Sequence, residues 1–206
     1  MKTPWRLVAR FGLTFTLALA ALVAVWTAVA PPYTAAVATV ARPAFHGVES
    51  DDVTVLSAQG DSLWAYRRVG ADRVAPFMVF DRYAFFAVVP LLALFVATPG
   101  LRLGRRTLYA LGATCVLFVV HVTYVVASVE LSYAAAGLAG GGSPAAQWIV
   151  RVAWEAAPII IWLAFTARAW VRSLEAVRDA GRARHNEGSA GTRRIFAWTP
   201  REGRTR

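Results

Sequence analysis

Four side chains in the second half of the chain, His121, Tyr124, Arg151 and Glu155, bring polar chemistry into stretches otherwise built of Ala, Val, Leu, Ile and aromatic residues. An imidazole in such a place can ligate a metal ion or the centre of a tetrapyrrole, or take up and return a proton. A carboxylate four residues after a guanidinium, as Glu155 is after Arg151, shares its helical face and can pair with it. The stretches themselves decide which chemistry is open. His121 lies near the middle of an apolar run that begins at Thr107 and meets its first charge at Glu130, and about 20 apolar residues suffice to cross a bilayer as a helix. Hydrocarbon offers an ionisable group no hydrogen bond, so His121 must face a protein partner, a ligand or water.

The elements that have to position these residues are transmembrane helices. Of the 206 residues, 57% are hydrophobic and 17% charged, which places the chain far from an ordinary soluble domain. Mean hydropathy is +0.48. Four runs, 7–30, 80–97, 107–133 and 147–167, are long or apolar enough to read as spans. The expected fold class is an all-α membrane protein of four transmembrane helices with a small extracytoplasmic β-hairpin. Its segments are a first helix in 1–30, an outer segment 31–79, a second helix 80–97 and a cytoplasmic loop 98–106. A third helix 107–133, a Gly-rich outer loop 134–146, a fourth helix 147–170 and a basic tail 171–206 complete the chain.

Charge sets the orientation. Lys2, Arg6 and Arg10 precede the first span, Arg102, Arg105 and Arg106 lie between the second and third, and ten arginines run from Arg168 to the end. With four spans all of these fall on one side, and the positive-inside rule makes it the cytoplasmic face of a bacterial inner membrane, with both termini inside. The basic start and Ala28-Val29-Ala30 resemble a signal peptide, but the long apolar core and Pro31-Pro32 favour an uncleaved anchor. The formal net charge of +10 is explained by this orientation and by attraction to membrane lipids; no nucleic-acid motif accompanies it. Cys115 is the one cysteine, so an internal disulfide and a Cys-based metal cage are excluded, and its apolar surroundings suggest a small core residue.

Outside the membrane, Pro31-Pro32 should end or kink the first helix. Tyr33, Val37, Val40 and Ala41 then follow the spacing of a short surface helix. Residues 53–57 and 63–66 are β-rich around the turn signal Gln59-Gly60-Asp61-Ser62, which predicts a hairpin with open edges. Two strands are marginal alone, so Val55, Leu63 and Trp64 need cover from the helices or from a partner. His46 near Glu49, Asp51 and Asp52 lacks the spacing of a metal site and reads as a solvated loop. Pro90 should bend the second helix, and the short loop after it makes the second and third helices antiparallel neighbours.

The outer loop with Gly140-Gly141-Gly142 has no Lys-Ser/Thr and is no phosphate loop. Past the fourth span, Val171, Leu174, Val177 and Ala180 continue a helical stripe, and 181–191 reads as disordered. Arg193, Arg194, Phe196 and Trp198 join cations to bulky apolar groups, which suits lipid headgroups or a groove on a partner.

Depth brings the polar set together. At 1.5 Å per residue His121 lies about 21 Å from Thr107, and Glu155 about 12 Å from Gln147 at the opposite surface, similar levels in a core of about 30 Å. His121, Tyr124, Arg151 and Glu155 are therefore expected to point into the bundle. There they would hold the last two helices in register, or His121 would bind a chlorophyll-type pigment or haem, or His121 and Glu155 would relay protons in a small proton-linked transporter. No serine sits in a nucleophile elbow and Cys115 has no activating neighbour, so the chain is not expected to be an enzyme.

The first half also carries a family resemblance. Ala30-Pro31-Pro32-Tyr33, then Asp52-Val53-Thr54-Val55 with Gly60-Asp61-Ser62-Leu63, then Ala97-Thr98-Pro99-Gly100, resemble small membrane proteins associated with exosortase systems. Exosortases themselves carry a membrane-embedded Cys, Arg and His; Cys115 and His121 share a helix here but lack the Ala-Cys-Ser-Gly context, so catalysis does not carry over. The resemblance implies an accessory role beside another membrane protein. The functional expectation is a non-catalytic accessory or assembly subunit packing among other integral membrane subunits. A subunit of a photosynthetic reaction centre or antenna, with His121 as a pigment ligand, is the alternative.

Overall fold

The structure is a computed structural model that describes residues 3–48, 54–68, 74–136 and 144–196. Its helices are α1 (Thr3–Val48), α2 (Val88–Ala97), α3 (Leu103–Ala135) and α4 (Pro144–Phe196). Between α1 and α2 lie the strands β1 (Thr54–Gln59), β2 (Ser62–Arg68) and β3 (Val74–Phe80), followed by a 3-10 turn over Arg82–Phe85. Among the described residues three helices, not the expected four, are long and apolar enough to cross a membrane, over Trp5–Phe45, Leu103–Ala135 and Trp148–Ala176.

The second expected span falls short because its first residues are used elsewhere. Phe80 ends β3, and the Asp81 carboxylate caps the 3-10 turn by accepting the Tyr83 N–H at 2.9 Å. Helix α2 begins only at Val88 and measures about 15 Å, half of a bilayer core. Pro90 therefore lies in its first turn, where no intrahelical donor is missed, instead of bending a long helix. Val88, Val89, Leu91, Ala93, Phe95 and Ala97 are all buried, so α2 is a core element held among the long helices.

Aromatic contacts show how the ends are arranged. Phe11 of α1 meets Trp170 of α4 edge-on at 5.2 Å, and Arg10 lines a cavity together with Arg106 and the turn through Thr98, Pro99 and Gly100. The start of α1, the end of α2, the start of α3 and the Trp170 region of α4 thus share one end of the bundle. Gly100 has φ +74, and a Cβ there would come within 2.8 Å of Ser173 Oγ, so this turn needs glycine both for its backbone and for its approach to α4.

Helix α1 does not stop at Pro31-Pro32; it runs on through both prolines and through Pro43. Packing outweighs the donors lost: Thr34, Val37, Ala38, Ala41 and Phe45 are buried at helical spacing. They do not form a separate surface helix. This last third of α1 backs the sheet, where the Arg42 guanidinium donates to the Leu56 carbonyl at 3.1 and 3.3 Å and the Thr34 hydroxyl donates to the Asp61 carbonyl at 3.4 Å.

The hairpin is present but belongs to a three-stranded antiparallel sheet in the order β1-β2-β3. Pro76 hides the third strand from a sequence reading, since proline is confined to edges and bulges. Here it is at both: the register passes from Ala65↔Met78 to Tyr66↔Pro76, leaving Phe77 as the extra residue of a bulge. The bulge places Phe77 against Tyr133 of α3, ring centroids 4.4 Å apart. Leu56, Leu63, Ala65 and Phe80 are buried, whereas Val55 and Val79 stay exposed.

Gly60 opens the β1–β2 turn at φ +62, while Asp61 keeps a negative φ, the pattern of a type II′ turn. Gly60→Val should therefore destabilise the protein by about 1–2 kcal/mol through backbone strain alone, since open space surrounds the position. A thermal melt of the purified variant measures this, and an unchanged midpoint would refute it.

Two further expectations change. Helix α3 buries Ala113, Leu117, His121, Val125, Val129 and Tyr133 at every fourth residue; Cys115, off that stripe, is exposed and is no core residue. Helix α4 continues through 181–191, expected to be disordered, as far as Phe196, with no proline between Pro158 and Phe196 to stop it. Glu49, Asp51, Asp52, Gly140 to Gly142 and Trp198 lie outside the described residues, as do the side chains of His46, Arg193, Arg194 and Phe196.

Candidate functional site

The four-residue spacing on α3 turns His121 toward α1, where it is fully buried and joined to the Tyr33 hydroxyl by a 2.8 Å hydrogen bond at Nδ1. Phe85 packs on the imidazole at 5.4 Å, and Tyr33 is itself wedged between Trp26 at 5.8 Å and Phe118 at 5.7 Å. Either Tyr33 donates to Nδ1 or Nδ1–H donates to Tyr33; in both tautomers Nε2 is buried with no hydrogen-bond partner among the described residues. That nitrogen is the atom an axial ligand would offer. None of the four cavities described on this chain is lined by His121, however, so a tetrapyrrole would have to displace Phe85, Tyr33 or their neighbours. The packing fits a structural histidine and does not fit a macrocycle.

Tyr124 is one helical step away from His121 and faces a different neighbour. It is half-buried and stacks on Trp154 of α4 at 4.8 Å and 16°, with Phe80 of β3 at 5.9 Å on its edge. Arg151 and Glu155 do not point into the bundle as expected. Arg151 Nε donates to Glu155 Oε1 at 3.1 Å, but the two side chains keep 74% and 54% of their surface exposed. Trp154, Ala157, Ile161 and Phe165 take the inward face of α4 and leave the ion pair beside the seam. The expected cluster is thus two separate sites: His121 with Tyr33, and Tyr124 near Arg151 and Glu155.

Along that seam runs a groove. An apolar cleft of about 280 Å³ is lined by Val119, Thr123, Tyr124, Ala127 and Trp154. A second cleft of about 240 Å³ shares Tyr124 and Val150 with it and adds Ser128, Ser132 and Arg151 beneath β3. On the sheet, half-buried Trp64 stacks on Tyr66 at 6.1 Å, and Gln59 Nε2 donates to the Tyr66 hydroxyl at 2.8 Å. No three His, Cys, Asp or Glu side chains come together as a metal cluster among the described residues.

Sequence reasoning missed Tyr33 and Trp154, the residues that decide where His121 and Tyr124 face. With Pro31-Pro32 ending or kinking the first helix, Tyr33 falls to a surface helix and away from His121, whereas α1 runs through it. Trp154 was readable: it precedes Ala157, Ile161 and Phe165 at the spacing of one apolar face. Comparison with protein-family models, curated proteins and solved structures finds no match to this chain.

Proposed function

We propose that this protein is a non-catalytic accessory subunit of a larger complex in the bacterial inner membrane, with both termini cytoplasmic and the sheet outside. The observation that carries the reading is the Arg151–Glu155 pair, largely exposed on an apolar helix. Glu155 lies seven residues, about 10 Å, past Trp148 at the start of that helix. A charged residue costs about 2.5–3.5 kcal/mol at the centre of a membrane helix and less toward the surface where Arg151 lies beneath β3, and an exposed pair recovers little of the Glu155 share. A partner helix that laid polar groups against the pair and filled the Tyr124–Trp154 groove would remove most of the penalty. His121 sealed under Tyr33 and Phe85, and Cys115 facing outward, supply no catalytic constellation among the described residues. The arginines around the turn after α2 and at the end of the apolar part of α4 would then face the cytoplasm. The resemblance to exosortase-associated proteins suggests one setting for such a subunit.

A photoreactive residue at Val152, next to the pair, should give a protein adduct of defined mass in native membranes. The same residue at exposed Leu13 on α1 serves as control. Lipid adducts alone at both positions would overturn the proposal.

A further inference from the structure

The end of the bundle that gathers the arginines also holds an open groove between α3 and α4, of about 980 Å³. Arg105 contributes from the first turn of α3, Arg168 and Arg172 from α4, and Tyr109 and Phe165 form its apolar floor. The spacing makes this a composed surface: Arg105 and Tyr109 are four residues apart on one face of α3, and Arg168 and Arg172 four apart on α4. Ala164, Ala167 and Ala169 keep the cleft wide. Arg172 Nε donates to the Arg168 carbonyl at 3.2 Å, which holds its guanidinium along the groove with its remaining donors unused among the described residues. Arg105 and Arg168 form no ion pair among the described residues, and no carboxylate lines the groove; Glu175 and Asp179 fall beyond its lining.

Three like charges converging on one cleft repel one another unless an anion sits among them. The position specifies which anion. Arg168 is 20 residues, about 30 Å, from Trp148, so the cations stand where a bilayer's hydrocarbon ends and its phosphates begin. Leu101, Leu108 and Val171 line the same groove and offer a surface for acyl chains. Guanidinium groups bind phosphate oxygens through paired, charge-assisted hydrogen bonds, and basic clefts between helices on the cytoplasmic side suit anionic headgroups. We infer that this groove binds the headgroup of one anionic phospholipid, with Arg105 and Arg168 clamping its phosphate from the two helices and Arg172 closing the third side.

The test is native mass spectrometry of the detergent-purified full chain titrated with phosphatidylglycerol or phosphatidylcholine. The wild type should retain one phosphatidylglycerol in preference to phosphatidylcholine. Arg105→Gln with Arg168→Gln should weaken that retention by about thirtyfold, each charge near the surface supplying about 1 kcal/mol. Arg105→Lys with Arg168→Lys keeps the charges and loses the paired hydrogen bonds, so it should retain phosphatidylglycerol more weakly than the wild type and more strongly than the Gln pair, which shows that the site itself has survived substitution. Arg6→Gln with Arg178→Gln removes the same charge from exposed positions outside the groove lining and should change nothing. Equal loss in that control, or equal retention of both lipids, would overturn the inference. So would inorganic phosphate titrated alone that raises the melting temperature with the same arginine dependence, because the groove would then serve a soluble anion.

Discussion

His121→Ala is expected to lower the unfolding free energy of the purified protein by about 3–5 kcal/mol, the range for deleting a large buried ring. Most of that loss is packing. The imidazole is fully buried against Phe85 and Tyr33, and its removal opens a space that neighbours on three elements cannot all move to fill. The hydrogen bond to Tyr33 is the smaller part, since polar contacts between membrane helices average about 0.6 kcal/mol and reach about 1.7 at most. The two parts separate in a double-mutant cycle. Tyr33→Phe leaves both ring nitrogens of His121 unpaired, and His121→Leu leaves the Tyr33 hydroxyl unpaired, so each single variant strands a polar group. The double variant strands none and should lose about 1 kcal/mol less than the sum of the singles. Strict additivity would show that the 2.8 Å contact carries no energy. If the wild type instead showed a visible absorption band that His121→Leu abolished, His121 would be a ligand and the structural role assigned here would fall.

The sequence made the membrane legible and the packing partners much less so. Long apolar runs separated by arginines have one physical explanation, and three of the four appear as helices long enough to cross. The fourth run failed because apolar composition does not distinguish a strand end, a 3-10 turn and a short buried helix, and 80–97 contains all three. The prolines misled in two directions. Pro31-Pro32 was read as a stop, yet buried contacts from Thr34 to Phe45 carry α1 past it. The hairpin read from the sequence ends at residue 66 and leaves Pro76 unassigned, yet an edge position opposite a bulge tolerates it in a third strand. In both cases a local rule yielded to contacts from residues distant in the chain. The polar set shows the same limit. Depth along each helix placed His121 and Glu155 at similar levels, but depth says nothing about rotation. Rotation was fixed by Tyr33 and Trp154, which drew His121 and Tyr124 to different neighbours.

Tyr133→Ala should free the sheet from the helices while leaving the helices folded, and it is the change with the widest expected reach outside the spans. A small sheet is stable in water only when its hydrophobic face is covered, and here the helices cover it. One face is backed by α1; its attachment to α3 passes through the Phe80–Tyr124 edge contact and, for all three strands, through Tyr133, which is 1% exposed. The Tyr133 hydroxyl lies 2.9 Å from Thr54 Oγ1 on β1, Arg67 of β2 sits over the ring at 5.0 Å, and Phe77 of the β3 bulge packs on it at 4.4 Å. One side chain thus touches all three strands. Truncation removes a buried aromatic ring, about 3–5 kcal/mol, together with the surface under the Arg67 guanidinium. Hydrogen exchange should reveal the loss locally: amides of β1 to β3 are expected to exchange roughly a hundredfold faster, the equivalent of about 3 kcal/mol of opening free energy. Those in the apolar part of α4 should keep their protection. Tyr133→Phe keeps the ring and loses the contacts of the hydroxyl, that to Thr54 among them, so its strands should exchange no more than about tenfold faster, the equivalent of about 1 kcal/mol. Strand protection that survived Tyr133→Ala would mean that α1 and the Phe80–Tyr124 contact hold the sheet without it. The bulge that directs Phe77 toward α3 would then contribute nothing to its stability.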